Sequence, residues 1–226
     1  SGFKNRIRDG HALRGIINDV NKIRFDNKTE VKLFAKIFEE EIKDWINAAK
    51  KDAYFYTPRV LCEFIVSIIK PNFKKKEIVF DPASGFNGFL IESFNFMKKD
   101  EKGKEDVRKL RFDSLKGHEK NPDFFLCGAL NFMLQASYIP NILNTNSLER
   151  ADNDIPMSGE YDVIMSNPSY NEAEEANIEM NLPVAVRSKD SALHFLFLIM
   201  QELKDQGRAA MILPNGTLSG DKKSAT

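Results

Sequence analysis

Residues 78–90 read IVFDPASGFNGFL, and this stretch constrains the fold more than any other part of the chain. It begins as an apolar run, Ile78-Val79-Phe80, and breaks at Asp81-Pro82. It then passes through Gly85 and Gly88 into a helix-like segment, Phe89-Leu90-Ile91-Glu92-Ser93-Phe94. A strand, a glycine-bearing turn and a helix, in that order, make the first unit of a nucleotide-binding α/β sheet. The glycines let backbone come close to a ligand, and the amides that open the helix point into the same space. Asp81 closes the strand, where it can accept hydrogen bonds from a ligand ammonium or from loop amides. A plain structural turn would carry the same residues, so the rest of the chain has to decide between the two.

The chain that follows alternates strand-like and helix-like segments. The spacing predicts a helix to about Met97, a charged and partly helical excursion over 98–114, and a short strand, LKGHE, over 115–119. Asn121-Pro122 opens a helix over about 123–138, and a third strand follows over 139–143. YDVIMS, 161–166, reads as a fourth strand that feeds Asn167-Pro168-Ser169-Tyr170. After a polar stretch, 171–190, come a buried-looking helix over 191–203, a C-cap at Gly207 and a fifth strand over 208–213. Strands alternating with helices call for a mostly parallel sheet with helices on both faces. Ligands of such sheets bind beyond the carboxyl ends of the strands. The unusual loops, 81–88, 119–122, 144–148 and 167–170, all fall at predicted carboxyl ends.

Upstream of the sheet, residues 1–52 show helical and no strand periodicity. Segments 12–23 and 30–49 carry apolar residues at helical spacing, with Asn27 or Thr29 available as a cap. YFYTPR, 54–59, is a loop whose Pro58 opens a helix over 59–69.

Two strand ends carry further chemistry. An acid at the end of a second strand, here Glu119, suits ribose hydroxyls. It stands 31 positions beyond Gly88, against about 20 in the usual dinucleotide pattern, and the charged excursion accounts for the excess. His118 beside it reads as structural. At the fourth strand end, the Asn167 side-chain oxygen and the Pro168 carbonyl can both accept from one exocyclic amine. The Tyr170 ring can stack on a planar base, and a base in duplex DNA must be flipped out to reach such a pocket.

Composition narrows the partners. Lys+Arg and Asp+Glu balance at 33 each, which argues against a polyanion binder over its whole surface but allows a local basic cleft. Cys62 and Cys127 lie in apolar helical contexts without a CxxC pair, so they read as free buried thiols and no metal site is expected. No signal-peptide pattern and no apolar run of about 18 residues is present, which makes the cytoplasm the expected compartment.

Taken in order, FYTPR, DPxxGxxGFL, GHEKNP, the strand end at Asn146, NPxY and GRAAMILPNG resemble the modification (methyltransferase) subunits of type I restriction–modification systems, of the N6-adenine DNA methylase family. The likeness runs over about 13–218. It implies a Rossmann-like S-adenosylmethionine-dependent methyltransferase sheet with helices on both faces, over 53–226 and lacking its last strands, preceded by a small helical region over 1–52. It implies cofactor contacts from Tyr56, Thr57, Pro58, Asp81, Ala83, Gly85 and Gly88, with Glu119 on the ribose and Asn146 on the cofactor adenine. Asn167, Pro168 and Tyr170 would grip the target adenine for direct methyl transfer. The implied partners are DNA, a specificity subunit, a restriction subunit and a second copy of the chain. The sequence departs from the family at four places. Phe86 and Asn87 replace small residues in the turn, Ser169 replaces a proline, and Thr145 replaces an acid. An alternative reading is therefore a weakened or inactive methyltransferase-like subunit that serves as a DNA- or partner-binding scaffold.

Overall fold

The computed structural model describes residues 7–48, 56–100, 108–110, 112–136, 138–150, 159–170, 191–213 and 217. Its elements are helices α1 (Gly10–Val20), α2 (Lys28–Ala48) and α3 (Arg59–Ile69), strand β1 (Val79–Asp81), helix α4 (Gly88–Met97), strand β2 (Leu115–His118) and helix α5 (Pro122–Ala136). Strands β3 (Asn141–Leu143) and β4 (Tyr161–Ser166), helix α6 (Ser191–Glu202) and strand β5 (Leu203–Met211) complete the order.

Local chemistry sets several of these boundaries. Asn27 caps α2, its Oδ1 accepting from the amides of Thr29 at 3.0 Å and Glu30 at 3.4 Å. Asn121 caps α5 in the same way, accepting from Asp123 at 2.9 Å and Phe124 at 3.2 Å, with Pro122 at the first helical position. Pro58 opens α3, and α4 ends at Met97 as its apolar pattern predicts. Strand β3 is shorter than expected because Pro140 has no amide to give to a ladder.

The five strands pair in the order β3-β2-β1-β4-β5, all parallel. The chain steps outward from β1 to β3, then crosses back to β4 on the other side of β1. The crossovers therefore part between β1 and β4, which leaves a crevice beyond their carboxyl ends. Side chains alternate across the sheet. Val79, Val163 and Met165 face one side and pack with α3, α4 and α5 residues such as Cys62, Val66, Leu90, Phe94 and Phe132. Phe80, Tyr161 and Ile164 face the other side, with Ile199 of α6.

Two expectations change. Gly207 is not a helix cap: α6 ends at Glu202, and Gly207 lies within β5. The ladder there is irregular, Tyr161 pairing with Leu203 and Val163 with Arg208, so residues 204–207 bulge from the edge. Gln206, not Gly207, takes the left-handed turn, with φ 63°. The apolar residues that helical spacing gathers on α1 do not form a buried face: Ile16, Ile17 and Val20 are 44–50% exposed and the helix buries nothing. The central part of the 98–114 excursion and the polar stretch 171–190 lie outside the described residues.

Candidate functional site

The carboxyl ends of β1, β2, β3 and β4 open into one cleft of about 1030 Å³, its open mouth included. Nine of the residues singled out from the sequence line it: Tyr56, Thr57, Asp81, Ala83, Gly85, Gly88, Glu119, Asn146 and Asn167. Pro58, Pro168 and Tyr170 are not part of that lining. Pro58 is exposed at the start of α3, while Pro168 is buried behind Asn167.

Asp81 ends β1 with its side chain buried. Its Oδ1 accepts from the Ala83 amide at 3.1 Å and the Ser166 hydroxyl at 3.0 Å, and Oδ2 takes no hydrogen bond among the described residues. Burial is the main force that lifts its pKa to about 7; the two hydrogen bonds oppose that rise, and the charge of Glu119 adds to it. Glu119 bonds on both oxygens. Oε2 accepts from the Gly85 amide at 2.9 Å and Oε1 from the Asn121 amide at 2.8 Å. It clamps the end of β2 to the glycine turn. Asn146 Oδ1 accepts from the Leu148 amide at 3.1 Å, which holds the short turn after β3. His118 is structural, its Nδ1 2.9 Å from Ser147 Oγ and its ring against Phe80.

The turn itself takes its shape from its neighbours. Gly85 sits at φ 49° and Asn87 at φ 64°, the region most open to glycine and asparagine. Phe86 does not fill the cleft. It forms part of the wall, buried against Ile42 and Ile46 of α2 and Phe124 of α5, with ring centroids 5.0 Å apart in the Phe86–Phe124 pair. Asn131 of α5 donates from Nδ2 to the Phe86 carbonyl at 3.0 Å. Gly128, also on α5, lies so near that an added Cβ would stand 2.3 Å from the Gly85 oxygen.

Around the YTP loop runs a polar network. The Tyr56 hydroxyl donates to a Glu39 carboxylate oxygen. Arg59 meets Glu92 at 2.9 Å, Glu39 at 3.6 Å and Gln135 at 3.1 Å. Burial, and then the Glu39 hydrogen bond, raise the Tyr56 pKa above its ordinary value. Asn167 spans the cleft mouth, donating from Nδ2 to Thr57 Oγ1 at 3.1 Å. Its Oδ1 accepts from the Tyr170 hydroxyl at 3.2 Å.

The comparisons with known proteins match this arrangement. The model of the N-6 DNA Methylase family covers residues 29–226. The chain belongs to the N-6 DNA methylase family. Within the family it is similar to the EcoEI methylase subunit of a type I restriction enzyme from Escherichia coli, at 36% identity over 96% of this chain and 44% of that protein. The EcoKI methylase subunit of Escherichia coli (strain K12) shows 27% identity over 94% of this chain and 41% of its own length. The chain thus spans less than half the length of these curated relatives. A modification subunit from Vibrio vulnificus YJ016 superposes with a TM-score of 0.83 and 32% identity, over 97% of this chain and 46% of that one. The parallel sheet with its covering helices is the S-adenosylmethionine-dependent methyltransferase fold of type I modification subunits.

Three neighbours of the cleft carry no mark in the sequence reading: Glu39, Gly128 and Asn131. Gly128 left a signal, since a glycine inside a helix costs about 1 kcal/mol relative to alanine and wants a packing reason. The other two look like ordinary helix residues until the helices are assembled, and Arg59, though part of FYTPR, finds its partners only then. Both thiols are free, and Cys127 is half-buried rather than buried as expected. Cys62 is buried with its Sγ against Gly88, and burial pushes its pKa well above the usual thiol range. No group of metal-ligating side chains forms among the described residues.

Proposed function

We propose that this chain is the cofactor-binding and base-gripping part of a DNA adenine-N6 methyltransferase subunit of a type I restriction–modification system. One observation carries the reading. The adjacent strands β1 and β4 end together, Ser166 bonding Asp81 at 3.0 Å, and bring a half-satisfied buried carboxylate and the Asn167 amide onto one cleft.

The residues present fit S-adenosylmethionine. An acid held near neutrality with a vacant oxygen suits a cationic ligand, whose charge would restore its ionised form. The Gly85–Gly88 turn and the first amides of α4 border the same space, with Tyr56, Thr57, Ala83 and Asn146 as walls and Glu119 bracing the turn. When bound, S-adenosylmethionine supplies a methyl group on a sulfonium, an electrophile that needs no covalent enzyme intermediate. Asn167 Oδ1 and the Pro168 carbonyl orient the amine of a flipped-out adenine, and proline holds the pair rigid. The incoming amine takes the place of the Tyr170 hydroxyl on Asn167 Oδ1, which releases the Tyr170 ring to stack on the base. Pro58 acts by fixing the entry to α3 rather than by contact.

In this reading 1–52 is a helical region and 53–226 the catalytic domain, with the boundary among residues 49–55, outside the described set. DNA, a specificity subunit that reads the sequence, a restriction subunit and a second copy of the subunit are its partners. The proposed compartment is the cytoplasm; among the described residues no helix is long and apolar enough to cross a membrane.

The test uses the full-length subunit assembled with its specificity subunit. Asn167→Ala is expected to bind S-adenosylmethionine as the parent does in calorimetry while losing methyl transfer to DNA by about 10²-fold or more. Full activity in that variant, or no cofactor binding by the folded parent, would sink the proposal.

A further inference from the structure

Thr57 touches both halves of the cleft. Its carbonyl oxygen lies 4.0 Å from where a Cβ on Gly88 would stand, against the first residue of α4. Its hydroxyl oxygen accepts from Asn167 Nδ2 at 3.1 Å, across 110 positions of sequence. One residue thus bridges the turn proposed to hold the methyl donor and the amide proposed to hold its acceptor.

The Asn167 amide is held at both ends, and the two ends differ. The partner of Oδ1, Tyr170, belongs to the loop that must admit a base. The partner of Nδ2 is anchored. Pro58 fixes its own φ at −56°, and its carbonyl accepts from the amides of Leu61 at 2.9 Å and Cys62 at 3.2 Å. Arg59 is tied to Glu92 at 2.9 Å and Gln135 at 3.1 Å. Thr57 therefore stays in place when the base side rearranges.

The hydroxyl that accepts from Nδ2 holds that end of the amide in place, while Oδ1, on the Tyr170 side, is the atom that meets the incoming amine.

We propose that Thr57 is a positioning residue for methyl transfer: its hydroxyl holds the Nδ2 end of the Asn167 amide while its backbone lies against the donor turn. This rests on the methyltransferase reading above. Valine keeps the volume of threonine, so the wall that Thr57 gives to the cleft is retained when the hydroxyl is removed.

The experiment uses the full-length subunit with its specificity subunit and a target duplex. It compares Thr57→Val, isosteric but without the hydroxyl, with Thr57→Ser, which keeps it. Calorimetry reads S-adenosylmethionine affinity, 2-aminopurine at the target adenine reads base extrusion, and steady-state kinetics separates kcat from KM. Thr57→Val is expected to lower kcat by about 10–100-fold. Cofactor Kd and the 2-aminopurine signal should stay within about threefold of the parent. Thr57→Ser is expected to recover most of the rate, and Thr57→Ala, which also lacks the hydroxyl, to follow Thr57→Val. An unchanged kcat in Thr57→Val, equal losses in the valine and serine variants, or a loss confined to cofactor affinity would each overturn the assignment. If the parent complex transfers methyl and Thr57→Val does so equally well, only the role of Thr57 falls. If the parent transfers none, the methyltransferase reading falls and takes this inference with it.

Discussion

At the scale of single residues, Asp81 bears its charge at a disadvantage. Its pKa rises from the ordinary 3.8 to about 7, chiefly through burial. Between those two values the folded chain holds a proton that the unfolded chain has released, so Asp81 costs progressively more stability as pH rises through that window. Asparagine keeps the Oδ1 hydrogen bonds from Ala83 and Ser166 and removes the charge. Asp81→Asn is therefore expected to raise the melting temperature at pH 8 by several degrees and to flatten its fall between pH 4 and 7, both visible in thermal unfolding. In calorimetry the same variant should bind S-adenosylmethionine about tenfold more weakly or worse. A variant neither more stable nor weaker in binding would show that the carboxylate is not poised for a cation. The sequence placed Asp81 at a strand end. It did not show that Glu119 stands close enough to lift its pKa further, because that proximity comes from two strands paired in space.

At the scale of elements, the turn after β1 depends on a helix far along the chain. An added Cβ at Gly128 would lie 2.3 Å from the Gly85 oxygen and 2.8 Å from Asn87 Nδ2. Backbone on one side has to move, so Gly128→Ala is expected to cost about 1–3 kcal/mol in denaturant unfolding and to abolish cofactor binding. Gly15, in the exposed helix α1, has nothing within 4 Å of an added Cβ. Gly15→Ala should stabilise slightly, by about 0.5–1 kcal/mol, and leave binding alone. Equal effects from the two changes would remove the case for close packing at Gly128. The packing around the turn accommodates Phe86 and Asn87. Phe86 turns into the α2–α5 cluster, and Asn87 tolerates φ 64°. Sequence does not show where these two side chains go, because nothing local says which way a turn aims its side chains. Helix limits, in contrast, were legible from caps and periodicity at α2, α3, α4 and α5. The expected cap at Gly207 failed because the chain bulges at the sheet edge there.

At the scale of the molecule, the helical region is wired into the cleft. Glu39 of α2 accepts from the Tyr56 hydroxyl and pairs with Lys43 at 3.4 Å and Arg59 at 3.6 Å, while Ile42 and Ile46 close over Phe86. Removing the Glu39 carboxylate leaves the half-buried Tyr56 hydroxyl without that acceptor. Glu39→Ala is expected to cost about 1–3 kcal/mol. It should also speed hydrogen exchange in residues 28–48 and 56–57 together, and weaken S-adenosylmethionine binding. Faster exchange in α2 alone, with binding intact, would make the helical region a separate appendage.

The sequence by itself determined the alternation of strands and helices, the parallel sheet, the family likeness and the glycine turn. Each of these is written in local periodicity, or in short motifs whose residues sit together along the chain. The tertiary structure alone decided the aim of Phe86, the notch at Gly128, the reach of Glu39 into the cleft and the bond from Thr57 to Asn167. The Thr57–Asn167 bond joins residues 110 positions apart, and no spacing rule covers such a distance. The stretch at 78–90 opens the sheet with a glycine turn, and the helices packed around it set the shape of the cleft.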